Sequence, residues 1–150
     1  MTVDAGKKIV VRCRAIIVHK GKLLVVRHRA GAAYVALPGG HLEWGEDVRE
    51  CTRREIVEEL GVEPSIGRLL YVNNFVKEQD GVHSVEFFFE VTNGAAFVDC
   101  ESRVRSHAYE IAEILWMHPA DDLRLLPDQV HRDFREGKLE SNDVRFMRSS

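Results

Sequence analysis

One helix is written plainly into this chain, and it carries a feature that helices ordinarily avoid. Residues 47–60 are made largely of Glu, Arg, Val, Ile and Leu, with acids in the first turn and Gly61 where a left-handed cap would fall. Within it Glu55, Glu58 and Glu59 stand at i, i+3 and i+4. At about 100° per residue the three share an arc of roughly 100°. Like charges at that spacing repel, and they sit at the end of the helix where its dipole disfavours anions. Ile56, Val57 and Leu60 fill the adjoining arc, so the helix packs on a core along one side and presents acid beside it. Two readings follow: a solvated acidic face, or a site for a divalent cation that relieves the repulsion. Clustered hard oxygen ligands suit Mg²⁺ or Mn²⁺, and Mg²⁺ keeps some waters while bridging carboxylates and phosphates.

The residues before the helix favour the second reading. Pro38-Gly39-Gly40 brings bare backbone close to the helix start, as a phosphate or metal site requires. Glu46 and Arg54 are eight apart, with Arg54 immediately before the acidic set. An ion pair between them would tie loop to helix and fix the carboxylates from behind.

Around this segment the pattern is that of strands. Residues 9–18 are rich in β-branched residues, Lys20-Gly21-Lys22 reads as a turn, and residues 23–26 complete a hairpin. A short strand is expected at 34–37, then strands at 68–76 and 84–92 joined by Gln79-Asp80-Gly81. Residues 93–110 read as an exposed loop, 114–118 as a short strand, 128–137 as a closing amphipathic helix, and the last ten residues as a tail. Strands on both sides of a helix, with antiparallel hairpins, indicate a mixed α/β domain. The expectation is a single domain over 1–150, with its core at about 9–137.

Composition narrows the class further. With 150 residues, 45% hydrophobic and 30% charged, the chain has ordinary globular composition and enough length for one core. A formal net charge of −3 gives no general field to attract nucleic acid or an anionic membrane, so DNA binding is not expected. The most apolar early stretch is broken by Arg12 and Arg14 and is shorter than the roughly 20 residues a bilayer needs. Cys13, Cys51 and Cys100 are few, odd in number and far apart, which suits reduced, buried thiols in a cytoplasmic protein.

The segment from Gly40 to Val62 resembles the Nudix box, G-x5-E-x7-R-E-U-x-E-E-x-G-U with U a bulky aliphatic residue. Gly40, Glu46, Arg54, Glu55, Ile56, Glu58, Glu59, Gly61 and Val62 meet every defined position. The resemblance covers roughly residues 9–137 and implies the Nudix fold, a mixed β-sheet sandwiched between α-helices (α/β/α). It implies hydrolysis of a pyrophosphate bond in a nucleoside diphosphate linked to another moiety, with Mg²⁺ as cofactor and Mn²⁺ as a substitute. Carried over by position, Glu55, Glu58 and Glu59 would be carboxylate metal ligands, joined by the backbone carbonyl of Gly39. Glu46 and Arg54 would be the orienting pair, and Gly40 would lie against substrate. The base would be Glu55 or an acid from a later loop, for which Glu110 is the first candidate and Glu101 and Glu113 are rivals. Arg27 resembles a basic residue that touches substrate phosphates in this family; the alternative is a surface arginine at a strand end.

Other residues carry less. His41 takes an unconstrained position of the box and is assigned no role. Tyr34 and Trp44 could stack on a base, although packing or simple exposure explains them as well. Phe87, Phe88 and Phe89 read as core plus one cleft wall, and Trp116 as a core anchor. No motif singles out a substrate among nucleoside triphosphates, nucleotide sugars and related compounds. The competing function is a non-catalytic nucleotide- or nucleotide-sugar-binding sensor on the same fold, against which the full set of box carboxylates argues. Homodimers are common among relatives, so a second copy is a possible partner beside the small-molecule substrate.

Overall fold

The computed structural model describes residues 6–102 and 111–150. Strand β1 (Lys8–His19) runs into β2 (Lys22–Arg27) through a tight turn in which Lys20 and Gly21 both take positive φ, 49° and 75°. That left-handed pair matches the twist of the flanking strands. Short strands β3 (Val35–Ala36) and β4 (Gly39–His41) precede helix α1 (Val48–Leu60). The long antiparallel pair β5 (Ile66–Lys77) and β6 (Val82–Val91) follows, then β7 (Glu113–Met117), β8 (Leu125–Leu126), helix α2 (Asp128–Arg135) and β9 (Arg145–Ser149).

These strands form one mixed sheet in the order β8-β3-β2-β1-β6-β5-β9, with β4 on β1 and β7 on β2. The centre is a parallel pairing of β1 with β6, in register from Lys8↔Val82 to Ile17↔Val91. Parallel neighbours require a crossover, and α1 lies within it.

Side chains alternate across the central strands, so each strand feeds two cores. Ile16, Leu23, Val25, Tyr71 and Phe88 face one side, where Val130 and Phe134 of α2 cover them. Ala15, Ile17, Leu24 and Val26 face the other, under Ile56 and Leu60 of α1. Each fully buried aliphatic or aromatic side chain contributes about 1.5–3 kcal/mol. The sheet is therefore sandwiched between two helices, as the resemblance implied.

Two expectations are corrected. Residues 93–102 are not simply exposed: two short 3₁₀ turns, Gly94–Phe97 and Cys100–Ser102, bury Phe97 and Cys100 in the α1-side core. Gly94 permits this, since a Cβ there would run into the Val18 carbonyl. Nor are the last ten residues a tail. β9 pairs in parallel with β5 from Tyr71↔Arg145 to Phe75↔Ser149. Its short sequence, without regular alternation, gives little local signal, and the strand is fixed by distant partners instead, Arg145 contacting Asp133 and Tyr71. Trp116, expected as a core anchor, is half-buried against the α1-side cluster. Among the described residues, no helix is long and apolar enough to cross a membrane.

Candidate active site

The helix start is set by a reciprocal cap. Asp47 Oδ1 accepts from the Arg49 and Glu50 backbone N–H groups at 2.8 and 2.9 Å, and Glu50 accepts from the Asp47 N–H at 3.1 Å. At the other end Gly61 caps α1 at φ 71°. With both ends fixed, Arg54, Glu55, Glu58 and Glu59 project toward the loop that β4 delivers.

Arg54 holds the site together. Its Nη2 and Nε donate to the two Glu46 oxygens at 2.6 and 3.0 Å, a bidentate pair across the loop. Nη2 also donates to the His41 carbonyl at 2.9 Å. Nη1 reaches Glu55 at 3.0 Å and Glu58 at 3.2 Å. The hydrogen bond from Arg54 depresses the Glu46 carboxyl to about 2, although burial opposes it. In return Glu46 first, and Glu55 after it, push the Arg54 guanidinium further above its usual range, against the effect of burial.

Two glycines let the loop come this close. Gly39 has φ 147°, and a Cβ there would lie 2.8 Å from the Arg14 Cα and nearer still to the Cys13 carbonyl oxygen. Its N–H donates to Glu59 at 3.0 Å. A Cβ on Gly40 would lie 2.5 Å from the Glu55 carboxylate, so the missing side chain is what admits that group. Glu55 and Glu59 are buried and Glu58 half-buried. Beneath the loop, Cys51 lies 3.9 Å from the Gly40 carbonyl. Its hydrogen bond with Cys13, together with burial, raises the Cys51 thiol well beyond its ordinary value, so it remains a protonated packing group.

The donor set suits a hard divalent cation: hard carboxylate oxygens of graded exposure beside a glycine loop with no side chains of its own. Among the described residues no three acidic, imidazole or thiol groups are arranged so that together they could hold a metal ion, and Arg54 stands between Glu55 and Glu58. Mg²⁺ requires no closed cage, since it is commonly held by one or two carboxylates with the rest of its shell from water and phosphate oxygens.

The structure does not gather every expected residue here. Arg27 donates through Nε to Glu113 at 3.0 Å and through Nη1 to the Ala32 carbonyl, so Glu113 serves as its partner across β2 and β7. Glu101 is exposed on a 3₁₀ turn. Glu110 lies outside the described residues. Trp44 is fully exposed, and Tyr34 is half-exposed on the rim of a cleft.

That cleft, about 200 Å³, opens on the sheet face opposite α1. Phe75, Phe88 and Leu126 give it apolar walls, and Arg14, Asn73 and Glu86 lie along its floor. Glu86 is buried, accepting from Asn73 at 3.0 Å and Arg14 at 3.4 Å. These floor residues escaped the sequence reading. An acid beside the aromatic run 87–89 was the available signal, as were the two arginines that interrupt β1.

Fold and acidic clamp together define a hydrolase of phosphorus-containing anhydrides. The chain belongs to the family of the NUDIX domain, whose family model matches residues 7–136. It is similar to a Bacillus subtilis (strain 168) protein named "Putative 8-oxo-dGTP diphosphatase", at 28% identity over 130 residues, 85% of this chain and 80% of that one. Among solved structures, a MutT NUDIX hydrolase from Burkholderia pseudomallei superposes with TM-score 0.69 at 27% identity, covering 86% of this chain and 98% of that one. An ADP-ribose pyrophosphatase from Streptococcus suis shares the fold at TM-score 0.62 and 20% identity, covering 91% and 98%. The protein is thus a MutT-like Nudix hydrolase.

Proposed function

We propose that this enzyme uses Mg²⁺, with Mn²⁺ as a substitute, to hydrolyse the pyrophosphate bond of a nucleoside diphosphate derivative, a nucleoside triphosphate being the first to test. The observation that carries the reading is Arg54, bound at once to Glu46, Glu55 and Glu58 under the Gly39–Gly40 loop. A fork held by Glu46 fixes two carboxylates whose mutual repulsion would otherwise scatter them. Glu55, Glu58 and Glu59, with the Gly39 carbonyl, would hold the cation. Bound there, it would neutralise the diphosphate and lower the pKa of a water.

The chain's own residues do the rest. Gly40 leaves room for a phosphate beside Glu55, and Glu55 or Glu110 accepts the proton of the attacking water. The cleft receives the nucleoside end. The name of the Bacillus subtilis relative supports placing a purine triphosphate at the head of the panel. Cys13, Cys51 and Cys100 are buried and outside any disulfide, which suits work in a reducing cytoplasm.

The test is release of phosphate or pyrophosphate, with Mg²⁺ and then Mn²⁺, over nucleoside triphosphates, nucleotide sugars and dinucleotides. The Glu58→Gln protein runs alongside. Metal-dependent turnover that falls at least about 100-fold in the variant supports the reading and names the substrate class. Silence across the panel from a folded protein that still binds one of these ligands would replace it with the sensor function.

A further inference from the structure

The family match stops at residue 136, yet the chain continues into a strand that reaches the cleft. Ser149, the last residue of β9, lines it beside Asn73. The Asn73 side chain is almost wholly buried, at 1% exposure, so each of its polar atoms needs a partner. Glu86 supplies one: its carboxylate only accepts, which turns Asn73 Nδ2 toward it at 3.0 Å. The Ser149 hydroxyl lies 2.9 Å from Nδ2 and 3.1 Å from Oδ1. A hydroxyl both accepts and donates, so Ser149 can accept from the amide nitrogen and donate to the amide oxygen. Without it, Glu86 alone would distinguish the two ends of the amide.

Ser149 is brought there over 76 residues of chain and held by a latch at the other end of β9. Arg145 donates to Asp133 at 3.3 Å, and its guanidinium lies 3.8 Å above the Tyr71 ring. Tyr71 donates to the same Asp133 carboxylate at 2.6 Å. Arg145 also donates to the Lys138 and Leu139 carbonyls. The latch therefore ties β5, α2 and β9 together on the α2 side of the sheet.

We infer that β9 is a specificity element, in which Ser149 is a positioning residue that fixes the Asn73–Glu86 pair for a planar, heteroaromatic substrate end bearing N–H donors. The inference rests on the reading of the cleft as the nucleoside end of the site. Glu86 keeps lone pairs for such donors, and Phe75 and Phe88 offer apolar walls to the ring. Loss of the hydroxyl takes the donor from Asn73 Oδ1 and leaves the Asn73–Glu86 pair held from one side alone, so it acts on the choice between bases rather than on the phosphate chemistry.

The experiment measures the affinities of guanosine, adenosine, cytidine and uridine 5′-monophosphate for the parent, Ser149→Ala and Ser149→Thr proteins. Steady-state kcat and KM on the matching triphosphates and thermal melts accompany it. The expected result is a base preference in the parent that shrinks about three- to tenfold in Ser149→Ala, through KM with kcat little changed, and returns in Ser149→Thr. Equal weakening for all four bases, or an unchanged preference, overturns the inference and leaves only a structural strand. Parent turnover without any nucleoside monophosphate binding also overturns it while the hydrolase reading stands. Base-selective binding that Ser149→Ala flattens, in a protein with no turnover, sustains it and sinks the hydrolase reading instead.

Discussion

The two ends of the site are fastened by opposite means. On the phosphate side, the hydrogen bonds that hold the acidic side chains come from one short segment: Arg54 to Glu46 spans eight residues, Arg54 to His41 thirteen, and Gly39 to Glu59 twenty. On the nucleoside side the partners are remote. Arg14 meets Glu86 across 72 residues, Tyr71 meets Asp133 across 62, and Asn73 meets Ser149 across 76. A loop, a single helix and the edge of β1 suffice to preorganise the first set, whereas the second exists only once the sheet has closed. The phosphate end should therefore answer to local geometry and the nucleoside end to tertiary docking.

The largest effects should come from the paired glycines, which separate fold from chemistry within the first set. Gly39→Ala places a Cβ against the β1 backbone at a positive φ. Strain and overpacking together should cost about 2–4 kcal/mol, read as a fall in the urea midpoint. Gly40→Ala meets only the flexible end of Glu55. Its stability should change by less than about 1 kcal/mol while turnover drops on the order of 100-fold, because a displacement near 1 Å at the chemistry has that effect. A Gly39→Ala protein as stable as the parent would break the picture of a loop locked by backbone contact.

Asp133→Ala probes the second set. It leaves the Tyr71 hydroxyl and one face of the Arg145 guanidinium without their shared acceptor. Arg145 still reaches solvent and two carbonyls, so the cost should be near 2 kcal/mol, below that of a fully buried pair. A melting point lower by roughly 4–8 °C follows for a chain of this size. With saturating substrate, kcat should hold, since nothing on the phosphate side touches this latch. A collapse of kcat would show that the two ends are coupled.

This contrast also explains what could be read from the chain beforehand. Gly61, the glutamate spacing and the Glu46–Arg54 pair were all legible because helical period and capping chemistry act over a few residues. The hairpin at Lys20–Gly21 was legible for the same reason. β9 was not: Arg-Phe-Met-Arg-Ser has no strong alternation, and its pairing depends on Asp133 and Tyr71 arriving from elsewhere. Asn73 and Glu86 were missed likewise, since a polar residue in a strand reveals its burial only when its neighbours across the sheet are known. Phe97 and Cys100 plug a core that the stretch around them, short of strand or helix periodicity, does not announce.

Acid should separate the ends again, with a smaller effect. Hydrogen bonding to Arg54 holds the Glu46 carboxyl at about 2, below its ordinary 4.5. A depressed folded-state value stabilises the fold fully above the unfolded value, and that contribution fades as pH falls from about 4.5 toward 2. The parent should thus lose stability as pH falls from about 4.5 to about 2. Glu46→Gln should remove that part of the slope while lowering the neutral-pH midpoint. An identical acid profile in parent and variant would mean that the Arg54 clamp contributes nothing to folding.

The smallest effect is expected one residue away from the largest ionic cluster. Arg53 and Arg54 are neighbours on α1, and each meets a glutamate from another segment: Arg53 donates to Glu63 at 2.9 Å, Arg54 to Glu46 at 2.6 Å. Geometry barely distinguishes them. Exposure does, since the side chains of the Arg53 pair are 57% and 59% exposed against 22% and 14% for the Arg54 pair. Water screens the first and lets its side chains retain their freedom, so Glu63→Gln should shift stability by less than about 0.5 kcal/mol and leave turnover untouched. Were it to cost as much as Glu46→Gln, hold on α1 would follow from the number of ionic contacts. The expected near-silence places it in burial: Arg54 orders the site because the loop encloses it.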